Sequence, residues 1–266
     1  MKAPSFSSLQ AHLKELQRHG GLIALKTGTE VEDMSFEEIR LLRALSDRLL
    51  PLYVKIGGPE ARNDIRELSH IGVDGLIAPM IESPYALKNF IGSLRDCLGP
   101  TSYDRIEKGI NLETITGFQN MNEILSSPEA RELDQVTAAR SDLSGSMDLS
   151  PDHPRVLEVC ALIVARCREN DLRTSVGGGI HPEIAETLIQ TVTPENINTR
   201  HMVLSCGEMR GPGRAAECVE HGLLFELELS KYLAAMPSDR QKAHLARAET
   251  IHQRLQKSRA ILHGIR

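Results

Sequence analysis

Two apolar runs of the chain end on a carboxylate: Glu113 follows GINL in GINLETITG, and Asp142 follows DQVTAA in DQVTAARSDLSGS. If these runs are neighbouring strands, both carboxylates face one point. Hard divalent cations such as Mg2+ accept a few carboxylate oxygens, keep several waters and leave positions open for a bidentate oxygen ligand such as a 2-oxo acid. Asp142 also opens DLSGS, where it can instead cap a turn. A second concentration of charge lies earlier, where KTGTEVEDMS sets Lys26, Glu30, Glu32 and Asp33 after one run and LYVKIGG sets Lys55, Gly57 and Gly58 at the end of the next. Three close carboxylates repel, so one of them is expected to hold a proton near neutrality and serve as an acid. Asp33 can equally belong to the acidic first turn of a helix. The glycine triplet at 177–179 precedes HPEIAETLI. Its backbone N–H groups can hold a carboxylate or phosphate, or it can form a tight strand-to-helix turn.

These residues need a scaffold that brings strand ends together. From residue 21 onward, short apolar runs alternate with amphipathic stretches, the pattern of parallel strands covered by helices. The runs are GLIALKT (21–27), PLYVKIG (51–57), VDGLIAPM (73–80), GINLET (109–114), DQVTAAR (134–140), LRTSVGG (172–178) and NTRHMVLSC (198–206). Helices are predicted over 36–49, 59–71, 86–98, 118–125, 155–168 and 182–192. Seven runs are one short of a closed barrel, so a hidden or irregular first strand is expected in the leader. In such a barrel the active site forms where strands end. The predicted fold is therefore a TIM (β/α)8 barrel over 1–237, followed by a helical extension over 238–266. That extension carries Leu245, Ala248, Leu255 and Leu262 on one stripe, which either joins the chain's own core or contacts another subunit.

Composition narrows the function. The chain has 266 residues, about what one barrel needs, and a formal charge of −5 with 3% aromatic residues. Neither a nucleic acid nor an anionic membrane is attracted by that balance. Five cysteines without a C-x-x-C pair read as reduced thiols, and the polar, helical N-terminus is unlike a signal peptide, which together predict a cytoplasmic protein. No G-x-S-x-G elbow or cysteine-nucleophile context is present, which disfavours acyl-enzyme hydrolysis.

The segments GVDGLIAPMIESPYAL, LETITGFQNMNEIL, DQVTAARSDLSGSMDL and PDHPRVLEVCALIVARC resemble the metal-binding half of the HpcH/HpaI aldolase and citrate lyase family, over about residues 21–205. The resemblance implies a barrel of the phosphoenolpyruvate and pyruvate superfamily, with Mg2+ or Mn2+ held by Glu113 and Asp142. It implies a carbon–carbon lyase acting on pyruvate or another small 2-oxo or carboxylic acid through a metal-bound enolate, so Lys26 and Lys55 are not assigned as Schiff-base nucleophiles. Lys55 stands where the family's aldolases place an arginine on the substrate oxygen. Glu32 and Asp33 stand in place of a glycine–acid–histidine base, and look more like the acidic pair of citrate lyase β-subunits. That likeness opens the alternative of an acyl-CoA lyase, while the missing histidine opens that of a non-catalytic binding or assembly barrel. Arg140 replaces a small residue, and either braces Glu113 or Glu82 or meets a substrate anion. Glu82 matches the family's ES segment, as a substrate contact or as the first carboxylate of the helix after it. The site expected is thus Lys55, Glu32, Asp33 and Arg140 for catalysis, Glu113 and Asp142 for metal, and Lys55, Gly57, Glu82 and Gly178 for substrate. The partners expected are a small anionic acid and further copies of the chain, as a trimer or hexamer.

Overall fold

The computed structural model describes residues 3–47 and 49–262. Eight strands close a barrel in chain order, β1 to β8: β1 (Leu22–Gly28), β2 (Leu52–Lys55), β3 (Gly75–Ala78), β4 (Glu107–Leu112), β5 (Gln135–Ala139), β6 (Arg173–Gly177), β7 (Asn196–Asn198) and β8 (Met202–Ser205). The expected closed α/β barrel is present. Helix α1 (Phe6–His19) precedes it, and α2 (Phe36–Ser46), α3 (Arg62–Ile71) and α4 (Pro84–Cys97) follow the first three strands. The short α5 (Pro100–Arg105) leads into β4, and α6 (Ile115–Gln119) and α7 (Met121–Ser126) leave it. After β5 come α8 (Arg140–Ser146) and α9 (Pro154–Arg168), and after β6 comes α10 (Pro182–Thr187). The chain ends with α11 (Arg214–Ala234) and α12 (Gln241–Leu262).

Local chemistry sets these boundaries. Ser35 caps α2 by accepting from the Glu38 N–H while Glu38 accepts from the Ser35 N–H, a reciprocal capping box. Ser83 and Pro84 start α4, His153 and Pro154 start α9, and Gly72 ends α3 in the left-handed conformation. Strands β2 and β3 are buried throughout, as parallel strands covered on both faces must be. Ala24, Tyr53, Ile77 and Val203 form a small apolar cluster apart from the main core. Among the described residues no helix is long and apolar enough to cross a membrane.

The eighth strand is not in the leader. Residues 6–19 form α1, whose Leu9, Leu13 and Leu16 are buried at helical spacing, each contributing on the order of 2 kcal/mol. The uncounted strand is β7, and the run 198–206 contains its last residue, a tight turn and β8. The Thr199 N–H donates to the Met202 carbonyl at 3.0 Å. A connection this short joins only antiparallel strands, because a parallel pair needs a crossover of a dozen residues or more. Strands β1 to β7 accordingly run parallel, while β8 is antiparallel to both β7 and β1. The inversion places the turn at 199–201 beside the C-terminal ends of β1 to β7.

Helix α11, for which the sequence pattern predicted no element, then packs Val219, Leu223, Phe225, Leu229 and Leu233 into the core. Helix α12 folds back along α11 with Ala248, Ile251 and Leu255 buried.

Candidate active site

A cavity of about 220 Å³ opens at the C-terminal ends of the strands, and its lining reaches from Lys26, Lys55, Glu113 and Asp142 to Arg247 and Arg254 of α12. Strand register explains the wall. Residues opposite one another share a face, and side chains alternate between faces along each strand. Asn111 lies opposite Thr137, Thr137 opposite Ser175, and Gly177 opposite Asn198, so a polar layer forms inside the barrel below the charged rim.

On one side, charges interlock. Lys26 Nζ donates to Glu32 Oε1 at 3.2 Å, and Lys55 Nζ lies 2.7 Å from Glu30 Oε2 and 4.0 Å from Glu32 Oε2. Gly28 permits this fold-back, since a Cβ there would stand 2.5 Å from Glu32 Oε2. Burial by itself would push the Glu32 carboxyl up, but Lys26, Lys55 and Arg200 together hold it down at about 2. Burial disfavours the Lys55 ammonium, yet Glu32, Glu30 and Glu113 outweigh that and raise its pKa. Glu32 is not driven to hold a proton as three mutually repelling acids would require, because Lys26 pairs with it and Lys55 lies between it and Glu30; it is an anion at neutral pH. Asp33 faces elsewhere. Its backbone is left-handed (φ 51°), its carboxylate lies 3.6 Å from Arg240 and its carbonyl accepts from Arg240 Nε, outside the cavity lining.

On the other side, Glu113 and Asp142 line the cavity. Glu113 is buried; its Oε1 accepts from the Met80 N–H at 2.7 Å and its Oε2 from Asn111 Nδ2 at 3.0 Å. Met80 has a left-handed backbone (φ 53°), a strained conformation for a residue with a side chain. Burial raises the Glu113 pKa; Lys55, the Met80 N–H and Asn111 oppose the rise, and the charge of Asp142 adds to it. Asp142 is exposed on the first turn of α8, and Asn111 Oδ1 is buried without a hydrogen-bond partner. Two carboxylates and an orphaned amide oxygen are an oxygen donor set suited to Mg2+ or Mn2+. Among the described residues no group of three or more His, Cys, Asp and Glu side chains gathers as a metal cluster. Such an ion would therefore take most of its ligands from water and substrate.

Arg140 does neither of the things expected of it. It pairs with neither Glu113 nor Glu82, and it does not line the cavity. Fully buried, it donates to Asp152 Oδ1 at 2.7 Å, to the Gly178 carbonyl at 2.7 Å and to the Pro151 carbonyl at 3.2 Å. Arg140 opens α8, and while Ala139 before it and Ser141 and Asp142 after it line the cavity, its own side chain turns to the segment 151–152 and the loop after β6. Arg140 therefore braces the loop after β6. Glu82 also misses the lining and accepts from the Thr114 hydroxyl. Gly57 is exposed, with its N–H given to Asp64. Gly178 does line the cavity; at φ 82° its Cβ would fall 2.4 Å from the Ser141 nitrogen, so only glycine fits. His181 is held between Asp152 and Glu183 at 2.9 and 2.5 Å, and it too lies off the lining.

Several lining residues carried no assignment from sequence: Asn111, Asn198, Arg200, Glu226, Arg247 and Arg254. Glu226 is buried in α11 and accepts from the Thr199 hydroxyl and the His201 N–H, both at 2.6 Å; burial raises its pKa despite those bonds. His201 itself is buried and pushed down to about 3, so it is neutral. The spacing of Arg247, Ile251 and Arg254 along one helix face was the available signal for two of these residues.

An α/β barrel with a charged cavity at its strand ends is the class that fold and site define. No family sequence model matches the chain, and no curated protein matches it. Solved structures do. The HpcH/HpaI aldolase from Desulfitobacterium hafniense DCB-2 superposes with a TM-score of 0.58 at 14% identity, covering 74% of this chain and 83% of that one. An HpcH/HpaI aldolase/citrate lyase family protein from Burkholderia cenocepacia J2315 gives 0.57 at 18% identity, over 69% and 79%. A citrate synthase, SbnG, gives 0.56 at 15% identity, over 72% and 80%. These structural neighbours include proteins of the family that the segments around Glu113 and Asp142 resemble, and at such identities the likeness establishes the fold.

Proposed function

We propose that the chain is a carbon–carbon lyase of the aldolase type, acting on a small 2-oxo or carboxylic acid with Mg2+ or Mn2+ at Glu113 and Asp142. The observation that carries this reading is the placement of both carboxylates on one cavity beside the unpartnered Asn111 oxygen. Burial and the charge of Asp142 both disfavour the Glu113 anion, and a cation relieves that penalty. When bound, the ion supplies electrostatic stabilisation of the negative charge that develops on a 2-oxo oxygen as the neighbouring bond breaks. Lys55, kept protonated by its acids, offers an ammonium to the substrate carboxylate and is unsuited to Schiff-base chemistry, which needs a neutral amine. Glu32 orients Lys26 and Lys55. Of the other lining carboxyls, burial pushes Glu226 toward its neutral form, against the Thr199 hydroxyl and the His201 N–H.

Enolisation is the step to test. In D2O with Mg2+, exchange of the pyruvate methyl protons, followed by proton NMR, is expected for the wild type. Glu113→Gln and Asp142→Asn are each expected to slow it by about 100-fold or more, on the scale of removing one electrostatic stabiliser of an oxyanion. Unchanged exchange and unchanged Mn2+ affinity in both variants would overturn the reading.

A further inference from the structure

Three guanidinium groups at the cavity have no part in the lyase chemistry above. Arg200 sits on the turn between β7 and β8, and Arg247 and Arg254 sit on α12. The latter two are seven positions apart, two helical turns or about 10 Å, and face the same way. Ile251, buried between them, fixes that face against the barrel. Arg200 is tethered through the Val31 carbonyl at 2.9 Å and Arg254 through the Ile180 carbonyl at 3.2 Å. Each is thus aimed by one backbone contact and retains further donors. Arg247 has no hydrogen bond or ion pair among the described residues, and its Nε is buried without a partner. Other arginines of this region are engaged: Arg240 with Asp33 and Arg259 with Glu220. The acids on the lining are engaged too. Glu32 is tied to Lys26, Glu113 to Met80 and Asn111, and Glu226 to Thr199 and His201; Arg200 also faces the charge of Glu32, and Arg200 and Arg254 that of Glu226, so Arg247, without a hydrogen bond or ion pair among the described residues, is the principal free donor of the three.

We propose that Arg247 and Arg254, with Arg200, bind a second oxyanion of the substrate, a phosphate monoester or a carboxylate, while the reacting 2-oxo end lies at Glu113 and Asp142. The assignment of which end reacts rests on the lyase reading; the oxyanion site stands on the arginines alone. A planar guanidinium fork matches either group through paired hydrogen bonds. It would also explain why α12 lies along the cavity: the last helix both covers the site and supplies its anion donors.

Calorimetry on the metal-free protein at low ionic strength tests this, with inorganic phosphate and malonate as separate probes. One site per chain is expected for at least one probe, and the tighter of the two identifies the group as phosphate or carboxylate. Arg247→Gln and Arg254→Gln should each weaken that probe by about 10-fold or more. Arg247→Lys should fall between Arg247→Gln and the wild type, because it keeps the charge and loses the fork. Circular dichroism establishes that each variant folds, and Arg254→Gln and Arg247→Lys carry the test if Arg247→Gln does not. Binding of neither probe, or affinities unchanged by the substitutions, overturns the proposal. Pyruvate exchange in the wild type separates the two readings. Phosphate or malonate binding without exchange sinks the lyase reading alone, while exchange with no arginine-dependent binding sinks this inference alone.

Discussion

Replacing Glu32 with glutamine removes the charge between two buried ammonium groups and leaves the shape of the side chain nearly intact. Its carboxyl is held at about 2 against an ordinary 4.5. At about 1.36 kcal/mol per pH unit, that difference corresponds to roughly 3 kcal/mol of folding free energy at neutral pH. Solvent screens little of it, since the Glu32 side chain is 8% exposed and Lys26 9%. Lys55 keeps Glu30 at 2.7 Å, so Lys26 is the cation left without an anion. A depressed carboxyl pKa stabilises the fold above the unfolded value and ceases to do so as pH falls through the folded value. The full effect is therefore expected at pH 7, and roughly half of it at pH 3. For a chain of this size, Glu32→Gln should lower Tm by about 6 to 12 °C at pH 7. The assay is thermal and urea unfolding of both proteins at pH 7, 5 and 3. A variant melting within about 1 °C of the wild type at pH 7, or a gap that stays constant down to pH 3, would refute the reasoning.

Two further substitutions probe the loop after β6. Gly178→Ala sets a Cβ against the Ser141 nitrogen at 2.4 Å with φ at 82°, so a loss of about 2 kcal/mol or more is expected in urea unfolding; an unchanged midpoint would show that the loop relaxes freely. Arg140→Met strips the Gly178 carbonyl and Asp152 of a buried donor. A loss of about 3 kcal/mol is expected, the low end for breaking a buried pair because Asp152 is partly solvated. A loss under about 1 kcal/mol would place the bracing of this loop elsewhere.

Much of the scaffold was legible because its signals are local. Six of the predicted strands coincide with β1 to β6 within a few residues, each a short apolar run between helix caps. Strand β7 has no legible signal, because three residues, Asn196–Asn198, are too few to carry a period-2 pattern. The run 198–206 reads as one strand because the turn at 199–201 that divides it is only three residues long and contains no glycine or proline. The positions of Glu113 and Asp142 on the cavity follow from their places just beyond β4 and β5. The direction of Arg140 has no local signal, because it opens α8 beside Ser141 and Asp142 on the cavity and is turned away only by Asp152 and the Gly178 carbonyl, residues distant in the chain.

The amino-acid sequence by itself determined the alternation of strands and helices, and with it a barrel whose strand ends carry acids, lysines and glycines. Periodicity and capping are short-range properties, readable within a window of a few residues. Only the tertiary structure decided how the charges are shared: Glu32 with Lys26, Lys55 with Glu30, Arg140 with Asp152. It also turned β8 over and brought Arg247 and Arg254 to the cavity. Those outcomes depend on which residues distant in the chain meet when the barrel closes. Closure is settled by the summed packing of every element, and no local pattern encodes it.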